Sequence, residues 1–199
     1  MAAVAPPADK DNWTVASFSS YLTAQTPPFV SMAIKDMQAA GVKFDLEWTI
    51  DHVCYRCDSM DEYTHLTTVV LPHLGHLLVE SIVGGRPIAC FKLATPLVLP
   101  HCPSATVDVL EVPSPKPGSH YDSSLEHFEM VVPHNLDDFL RAQPASISWD
   151  LKAMKKAINR DARVAVGGGG GSVKFHEQTL ESVIEMEKLA DAAAGTATN

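Results

Sequence analysis

The sequence predicts a fold of the α+β class, in which helices and strands alternate in two related units. Residues 48–112 contain short β-type runs and one helical pattern in the order β-α-β-β-β, and residues 125–176 contain a shorter series of similar order. Helical patterns precede the first unit and follow the second. We therefore expect two small modules that share one core, framed by helices at both ends of the chain.

The N-terminal part predicts an arm followed by two helices. Residues 1–11 consist mainly of Ala, Pro and charged side chains, which form no amphipathic pattern. Apolar residues recur at three-to-four spacing over residues 13–24 and again over residues 29–40, with the segment 26–28 (Thr-Pro-Pro) between them. We expect residues 1–45 to form an arm and helices that pack on a main domain of residues 46–190.

The first unit is predicted to form module one, at about residues 49–113. β-branched and aromatic residues between Gly and Pro predict strands over residues 49–57, 77–83, 87–93 and 106–112. Between the first two strands, the apolar residues of segment 59–74 follow helical spacing.

The second unit is predicted to form module two, at about residues 125–177. Strands are expected at 127–132, 163–166 and 172–176, and a helix at 136–142. Segment 149–158 has a more helical than extended pattern, so a strand between residues 142 and 163 is hard to place. The five consecutive glycines 167–171 lack the residues of a phosphate-binding loop and predict a hairpin connection. A helix over 177–194 and a disordered tail of residues 195–199 complete the chain.

Composition excludes several classes of protein. The formal net charge is −9, whereas general nucleic-acid binders need clustered Lys and Arg. Apolar runs are far shorter than the roughly 20 residues of a membrane-spanning helix, and the N-terminus lacks a secretory signal, so a cytoplasmic location without a membrane partner is expected. Four cysteines are too few for a disulfide scaffold, and Cys54 and Cys57 are interpreted as packed thiols.

Several polar residues lie at the ends of apolar runs, where burial would be costly without a partner. They are His52, His127 and His176, which open or close predicted strands, and Glu111, near the end of another strand. Glu129 shares the strand face of His127, because side chains alternate along a strand. Imidazole and carboxylate ligands suit Zn, Ni, Fe(II), Mn or Co. The residues alone leave open whether they bind a metal or are hydrogen-bonded polar groups at strand ends.

Five sequence blocks, in this order along the chain, resemble the YecM family. They are IDHVCYRC (50–57), GGRPIACFKL (84–93), VLEVPSP (109–115), LEHFEMVV (125–132) and SVKFH (172–176), and the likeness extends over residues 30–188. That family is identified as a branch of the vicinal oxygen chelate superfamily, the glyoxalase/bleomycin-resistance/extradiol-dioxygenase group. The resemblance implies two βαβββ modules that form an incompletely closed, eight-stranded cup around a divalent metal ion.

The resemblance also implies the metal ligands, which come from the first and last strands of each module. At the matching positions stand His52, Glu111 and His127. Many relatives have a carboxylate as the fourth ligand, whereas this chain offers His176, or Lys174 in a different register. A site with three protein ligands and additional water is the remaining possibility.

The resemblance further implies an isomerase, lyase or oxygenase whose small-molecule substrate chelates the metal through adjacent oxygens. Glu129 is expected to act as a general base if burial raises its pKa, or to orient a ligand histidine. Arg56 and Lys92 are expected to bind an anionic substrate group, or to face solvent at strand ends. Two alternatives are a binding protein that sequesters a small molecule without turnover, and a metal-free interaction module. A monomer is expected, since one chain carries both modules.

Overall fold

The computed structural model describes residues 12–99 and 106–196, so the predicted arm of residues 1–11 and residues 197–199 of the tail lie outside the described residues. A mixed sheet of eight strands forms the centre of the molecule. The elements in chain order are α1 (Val15–Ala40), β1 (Ile50–Arg56), α2 (Met60–His65), β2 (Gly75–Val83), β3 (Arg86–Val98), β4 (Thr106–Pro113), β5 (Ser124–Val131), α3 (Leu136–Arg141), β6 (Trp149–Asp150), β7 (Asp161–Val166), β8 (Gly171–His176) and α4 (Leu180–Thr196).

The predicted pair of βαβββ modules is confirmed by the order of the strands. The sheet runs β2-β3-β4-β1-β5-β8-β7-β6, so each module contributes four neighbouring strands. Within each module the first and last strands are parallel neighbours, β1 with β4 and β5 with β8. The modules join through the antiparallel pair of β1 and β5, and β2 and β6 are the outer strands of the described sheet, which is not closed.

A single helix, α1, replaces the two helices predicted at the N-terminus, and that prediction is wrong. The helix begins after Thr14, whose side chain accepts a hydrogen bond from the backbone N–H of Ser17, and ends at Gly41, whose φ of 79° suits glycine. Pro27 and Pro28 lie inside the helix. Buried apolar residues on both sides of them, including Phe18, Leu22, Val30, Ala33 and Met37, pack into the core. This packing outweighs the local cost of the prolines.

The segments between strands differ from the predictions in detail. Helix α2 continues into a π-helical turn (Leu66–Val70) and a 3-10 turn (Leu71–His73), in agreement with the helical pattern over 59–74. The segment predicted as helical at 149–158 instead contains the two-residue strand β6 followed by a 3-10 turn (Lys152–Lys155). Helix α4 extends to Thr196, so residues 195 and 196 belong to this helix rather than to the predicted tail.

The two faces of β1 have different surroundings, because its side chains alternate. Tyr55 faces α1, where its ring lies 5.1 Å from that of Phe18 in an edge-on contact. His52 and Cys54 face the opposite, inner side of the sheet. Cys54, Cys57 and Cys90 are buried free thiols, as predicted for the first two. None of the helices that the described residues form is long and apolar enough to cross a membrane.

Candidate metal centre

The inner face of the sheet carries the candidate site on four neighbouring strands. His52 on β1 is paired with Glu129 on β5, and Glu129 is paired with Lys174 on β8. In the next row, Glu111 on β4 is paired with Cys54 on β1, and Cys54 with His127 on β5. The pairing of β1 with β5 therefore brings one histidine from each module to the centre of the sheet.

Three of the four predicted metal ligands come together. His52, Glu111 and His127 each offer one ligand atom, and these atoms lie within 4.8 Å of one another. The Nε2 atom of His127 is 3.5 Å from Oε1 of Glu111, and the His52 and His127 rings are 6.2 Å apart between centroids. His52 and His127 are buried and Glu111 is partly buried. These distances are of the size that a single ion with three ligands requires after small side-chain movements.

The imidazole of His52 is oriented by the preceding residue. Its Nδ1 atom is 2.8 Å from Oδ2 of Asp51, and the same oxygen accepts a hydrogen bond of 2.9 Å from the backbone N–H of Leu180 at the start of α4. The Nε2 atom of His52 is buried and makes no hydrogen bond within the described residues. Metal-binding histidines are commonly held in this way, with one nitrogen on a carboxylate and the other directed at the ion.

Lys174 occupies the position on β8 that corresponds to Glu111 on β4. His52 pairs with Val109 and His127 with Ser172, and the residues two positions further along are Glu111 and Lys174. The Nζ atom of Lys174 lies 2.5 Å from Oε1 of Glu129 and 2.9 Å from Nε2 of His127. The register of β8 therefore places a lysine where the first module has a carboxylate.

His176 lies on β8 two residues after Lys174, on the same face of the strand, and belongs to a different cluster. Its Nε2 atom is 3.6 Å from Oδ2 of Asp51 and 3.6 Å from Oε2 of Glu129. A ligand atom of His176 lies within 4.8 Å of ligand atoms of Asp51 and His52, but His176 does not join the group that contains Glu111 and His127. Both ring nitrogens of His176 are buried and lack hydrogen bonds within the described residues.

Electrostatic interactions at the centre shift several pKa values. Burial alone would lower the pKa of His52, but the charge of Glu129 and the hydrogen bond to Asp51 raise it to about 10. For the acid Glu129, burial alone would raise the pKa, but the positive charges of Lys174 and His52 hold this pKa well below its usual value. The general-base role predicted for Glu129 required a raised pKa, and the shift has the opposite direction. Its contacts with both histidines instead agree with the alternative, a residue that orients them.

Arg56 and Lys92 do not lie at the centre, although both were predicted to bind substrate. The Arg56 guanidinium stacks 4.0 Å from the centroid of the Tyr121 ring. The Nζ atom of Lys92 is 2.5 Å from Oε2 of Glu181 and 3.0 Å from Oδ2 of Asp108. Lys92 thus ties α4 to the sheet, and neither side chain is among those that line the cleft beside the metal-ligand cluster.

A cleft of about 440 Å³ adjoins the cluster and leads to the surface. The inner face of the sheet forms one wall, and the α4 residues Leu180, Val183 and Ile184 form the other. Its volume suits a small organic molecule. Arg163, which also lines it, was not selected from the sequence, and Lys174, another lining residue, was considered there only as an alternative fourth ligand. Their polar character on alternating strand positions was visible, but their proximity depends on how β7 and β8 pair.

Comparisons with known proteins agree with this architecture. The family model described as YecM protein matches residues 20–187. Protein YecM of Escherichia coli (strain K12) is 23% identical over 192 residues, which are 90% of this chain and 99% of that protein. A solved structure described as Structural Genomics, Protein EC4020 has a TM-score of 0.64 and 23% identity, and covers 81% of this chain and 88% of its own.

More distant solved structures include a Streptomyces coelicolor methylmalonyl-CoA epimerase. Its TM-score is 0.43 with 10% identity, over 65% of this chain and 96% of that one. The family match instead spans most of the chain, including every residue of the candidate centre. This chain belongs to the YecM family.

Proposed function

We propose that this protein is an enzyme that uses a divalent metal ion to act on a small substrate with two adjacent oxygen atoms. The observation that carries the proposal is the convergence of His52, His127 and Glu111, in which the buried Nε2 atom of His52 makes no hydrogen bond within the described residues and has Oε1 of Glu129 at 3.4 Å. A buried polar atom without a hydrogen bond is costly and calls for an explanation. A metal ion would supply the partner.

The charges around the centre support a divalent ion. With neutral imidazoles, as metal ligands require, the three carboxylates of Asp51, Glu111 and Glu129 and the ammonium of Lys174 leave a net charge of −2. A divalent cation would balance this charge. Because the pKa of His52 is raised to about 10, this imidazole would give up a proton when the ion binds. Two imidazoles with one carboxylate suit Zn, Ni, Fe(II), Mn or Co. His52, Glu111 and His127 would hold the ion, and when bound it would stabilise negative charge on the substrate oxygens.

The remaining side chains would prepare the site for the substrate. Asp51 keeps the His52 ring in place through its contact with Nδ1. Glu129 holds Lys174 through a 2.5 Å contact, so the ammonium can stay near the centre when it turns away from His127. Val183 and Ile184 of α4 cover the cleft with apolar surface, which limits the access of water. The reaction would be an isomerisation, a lyase reaction or an oxygenation.

A second candidate function is the binding of a small molecule without turnover. The observation that favours it is the 2.9 Å contact between Nζ of Lys174 and Nε2 of His127. The Lys174 ammonium thus occupies the space next to Nε2 of His127, the nitrogen that would bind a metal ion. If Lys174 stays at this position, the cleft is a metal-free binding cup that carries a fixed positive charge.

Metal analysis separates the two candidates. Protein purified without chelator is analysed for its metal content and titrated with Zn²⁺, Ni²⁺, Mn²⁺ and Co²⁺ by calorimetry. We expect about one ion per chain, lost in His52→Ala and His127→Ala. His134→Ala is the matched control, because His134 is exposed and contacts Trp48 away from the cleft. A folded wild-type protein that binds none of these ions would refute the metal-dependent enzyme.

Turnover then decides whether a metal-loaded protein is an enzyme. The panel comprises dicarbonyls, α-hydroxy ketones and catechols, which all present two adjacent oxygens. Conversion of one of them by the wild type and not by His127→Ala supports catalysis. Binding without any conversion favours sequestration.

A further inference from the structure

The two halves of the cleft differ in charge at equivalent positions. On β3, Cys90 is paired with Glu111, and on β7, Arg163 is paired with Lys174. Because Glu111 and Lys174 correspond in the two modules, Cys90 and Arg163 correspond as well. The first module therefore presents a thiol and the second a guanidinium at the same distance from the centre.

Among the Lys and Arg residues that line the cleft within residues 12–99 and 106–196, the exposed Arg163 is the one without a hydrogen bond or ion pair. The others are engaged: Arg86 donates to the backbone oxygen of Ser114 at 2.5 Å, Lys156 to Asp161 at 2.8 Å, and Lys174 to Glu129 at 2.5 Å. The Arg163 side chain makes no hydrogen bond or ion pair with any other described residue. A guanidinium left free beside a cleft is suited to bind a carboxylate in a bidentate manner.

Asp150 is the acidic residue paired with Arg163 from the neighbouring strand β6. Its carboxylate accepts a hydrogen bond of 3.1 Å from the backbone N–H of Lys152. This hydrogen bond is the main cause of the lowered pKa of Asp150, and the charges of Lys152 and Arg163 contribute less. The Asp150 carboxylate lies 3.6 Å from Nζ of Lys152 and forms no ion pair with Arg163 within the described residues, so the Arg163 guanidinium is available.

The wall of the first module combines apolar residues with polar ones, and its cation, Arg86, is already engaged by the Ser114 backbone oxygen. Val79 and Ile88 line the cleft there, and Val183 faces them from α4. Within the described residues, a bound molecule thus meets no unengaged cation at the first module and the guanidinium of Arg163 at the second. Strand β7 is two strands away from β5, and neighbouring strands lie about 4.8 Å apart, so the backbones of Arg163 and Glu129 are roughly 10 Å apart across the sheet. A small bound molecule and the long Arg163 side chain together can span this distance.

The geometry points to a carboxylate subsite at Arg163, so that the substrate is a small organic acid with a carboxylate separate from its two adjacent oxygens. This inference rests on the proposed function for the position of the adjacent oxygens. It adds the charge of the substrate and its orientation, with the distal carboxylate toward the second module. Arg163, rather than Arg56 or Lys92, is the residue that selects for this charge.

The test compares two acids that share a 2-oxo acid group and differ in the distal carboxylate, 2-oxoglutarate and 2-oxopentanoate. Their affinities are measured by calorimetry with Ni²⁺-loaded and with metal-free protein. We expect the wild type to bind 2-oxoglutarate about tenfold more tightly, since charged hydrogen bonds contribute on this scale. Arg163→Gln should bind both acids alike. Arg141→Gln is the control, because Arg141 is exposed, pairs with Asp138 and does not line the cleft.

The results distinguish this inference from the proposed function. A preference that is present in the wild type and Arg141→Gln but lost in Arg163→Gln supports the subsite. Equal affinities in the wild type, a preference that survives in Arg163→Gln, or no binding of either acid overturns it. Failure of the wild type to bind metal overturns the proposed function alone, since the preference is also measured without metal.

Discussion

The Nζ atom of Lys174 lies 2.9 Å from the Nε2 atom of His127, on the strand position that corresponds to Glu111 in the other module. A lysine at this position supplies a cation where a carboxylate would supply a ligand. The ammonium and a metal ion cannot both occupy the space next to this nitrogen, because like charges repel strongly in a buried site. Lys174 is therefore expected to weaken metal binding and to limit the protein ligands to three.

Replacement of Lys174 by Gln should increase the affinity for divalent metal by about tenfold, because it removes a competing positive charge. The same change should destabilise the metal-free protein by about 1 to 3 kcal/mol, because Glu129 loses its charge partner. Calorimetric titration with Zn²⁺ and urea denaturation with and without metal measure both effects. Lys156→Gln is the control, since Lys156 lines the same cleft but pairs with Asp161. Unchanged or weaker metal binding by Lys174→Gln would contradict the expected competition.

Replacement of Asp51 by Asn should lower the affinity for metal by about tenfold, as is usual for residues that orient a ligand histidine. The carboxylate of Asp51 holds Nδ1 of His52 and also accepts from the backbone of Leu180, and a neutral amide does both less well. The measurement is a competition titration with a colorimetric chelator. Asp36→Asn is a matched control, because Asp36 accepts a backbone hydrogen bond of 2.6 Å from Gly167 outside the centre. Equal loss in both variants would assign the effect to general destabilisation.

The alternation of residues along strands was sufficient to predict much of the centre. The strand pattern singled out His52, Glu111 and His127 and placed Glu129 on the face of His127, and the resemblance to a known family added the ligand roles. It could not decide between Lys174 and His176, because a shift of two residues keeps the same face. The five glycines 167–171, the last of which begins β8, allow several lengths of connection, so only the observed pairing of β7 with β8 fixes the register.

The N-terminal helix was the largest difference between sequence and structure. A Pro-Pro pair predicts a break from local geometry, whereas the outcome depends on tertiary packing that the local pattern does not contain. Strand β6 was missed for a similar reason. It has only two residues, and its pairing with Val164 and Arg163 on β7 defines it more than its own sequence does.

Replacement of Pro28 by Ala should stabilise the protein, because Pro28 lies inside the continuous helix α1. Pro28 lacks the N–H that an α-helix needs in its interior, and its side chain is exposed, so little packing is lost. We expect the free energy of unfolding to rise by about 1 to 3 kcal/mol. Pro117→Ala, at an exposed turn position, should instead be neutral or slightly destabilising. Urea denaturation measures the stability of both variants. A loss of stability in Pro28→Ala would contradict a continuous α1 and favour two helices that are separated at the prolines.

Replacement of Glu62 by Gln should destabilise the fold without affecting metal binding. The buried Glu62 carboxylate accepts from the Trp13 indole at 3.2 Å, the Tyr55 hydroxyl at 2.8 Å, the Ser123 hydroxyl at 2.5 Å and the Asp58 backbone at 3.0 Å. An amide nitrogen at either oxygen position would face two donors, at a cost of about 1 to 3 kcal/mol. Thermal denaturation checks this, with the exposed Glu47→Gln as the control. Equal melting temperatures would mean that the network adapts.

The presence of both modules in one chain, joined through β1 and β5, has a consequence for which residues can occupy equivalent positions of the two modules. An assembly of two identical copies of one module would have to place the same residue on both sides of its dyad, either two acids or two lysines. Joining the modules in one polypeptide removes that constraint, so Glu111 and Lys174, and likewise Cys90 and Arg163, can differ. Because the two halves of the cleft differ in charge, the site can bind a molecule with two different ends in a single orientation. The two halves of a symmetric dimer would be identical and could not distinguish the two ends.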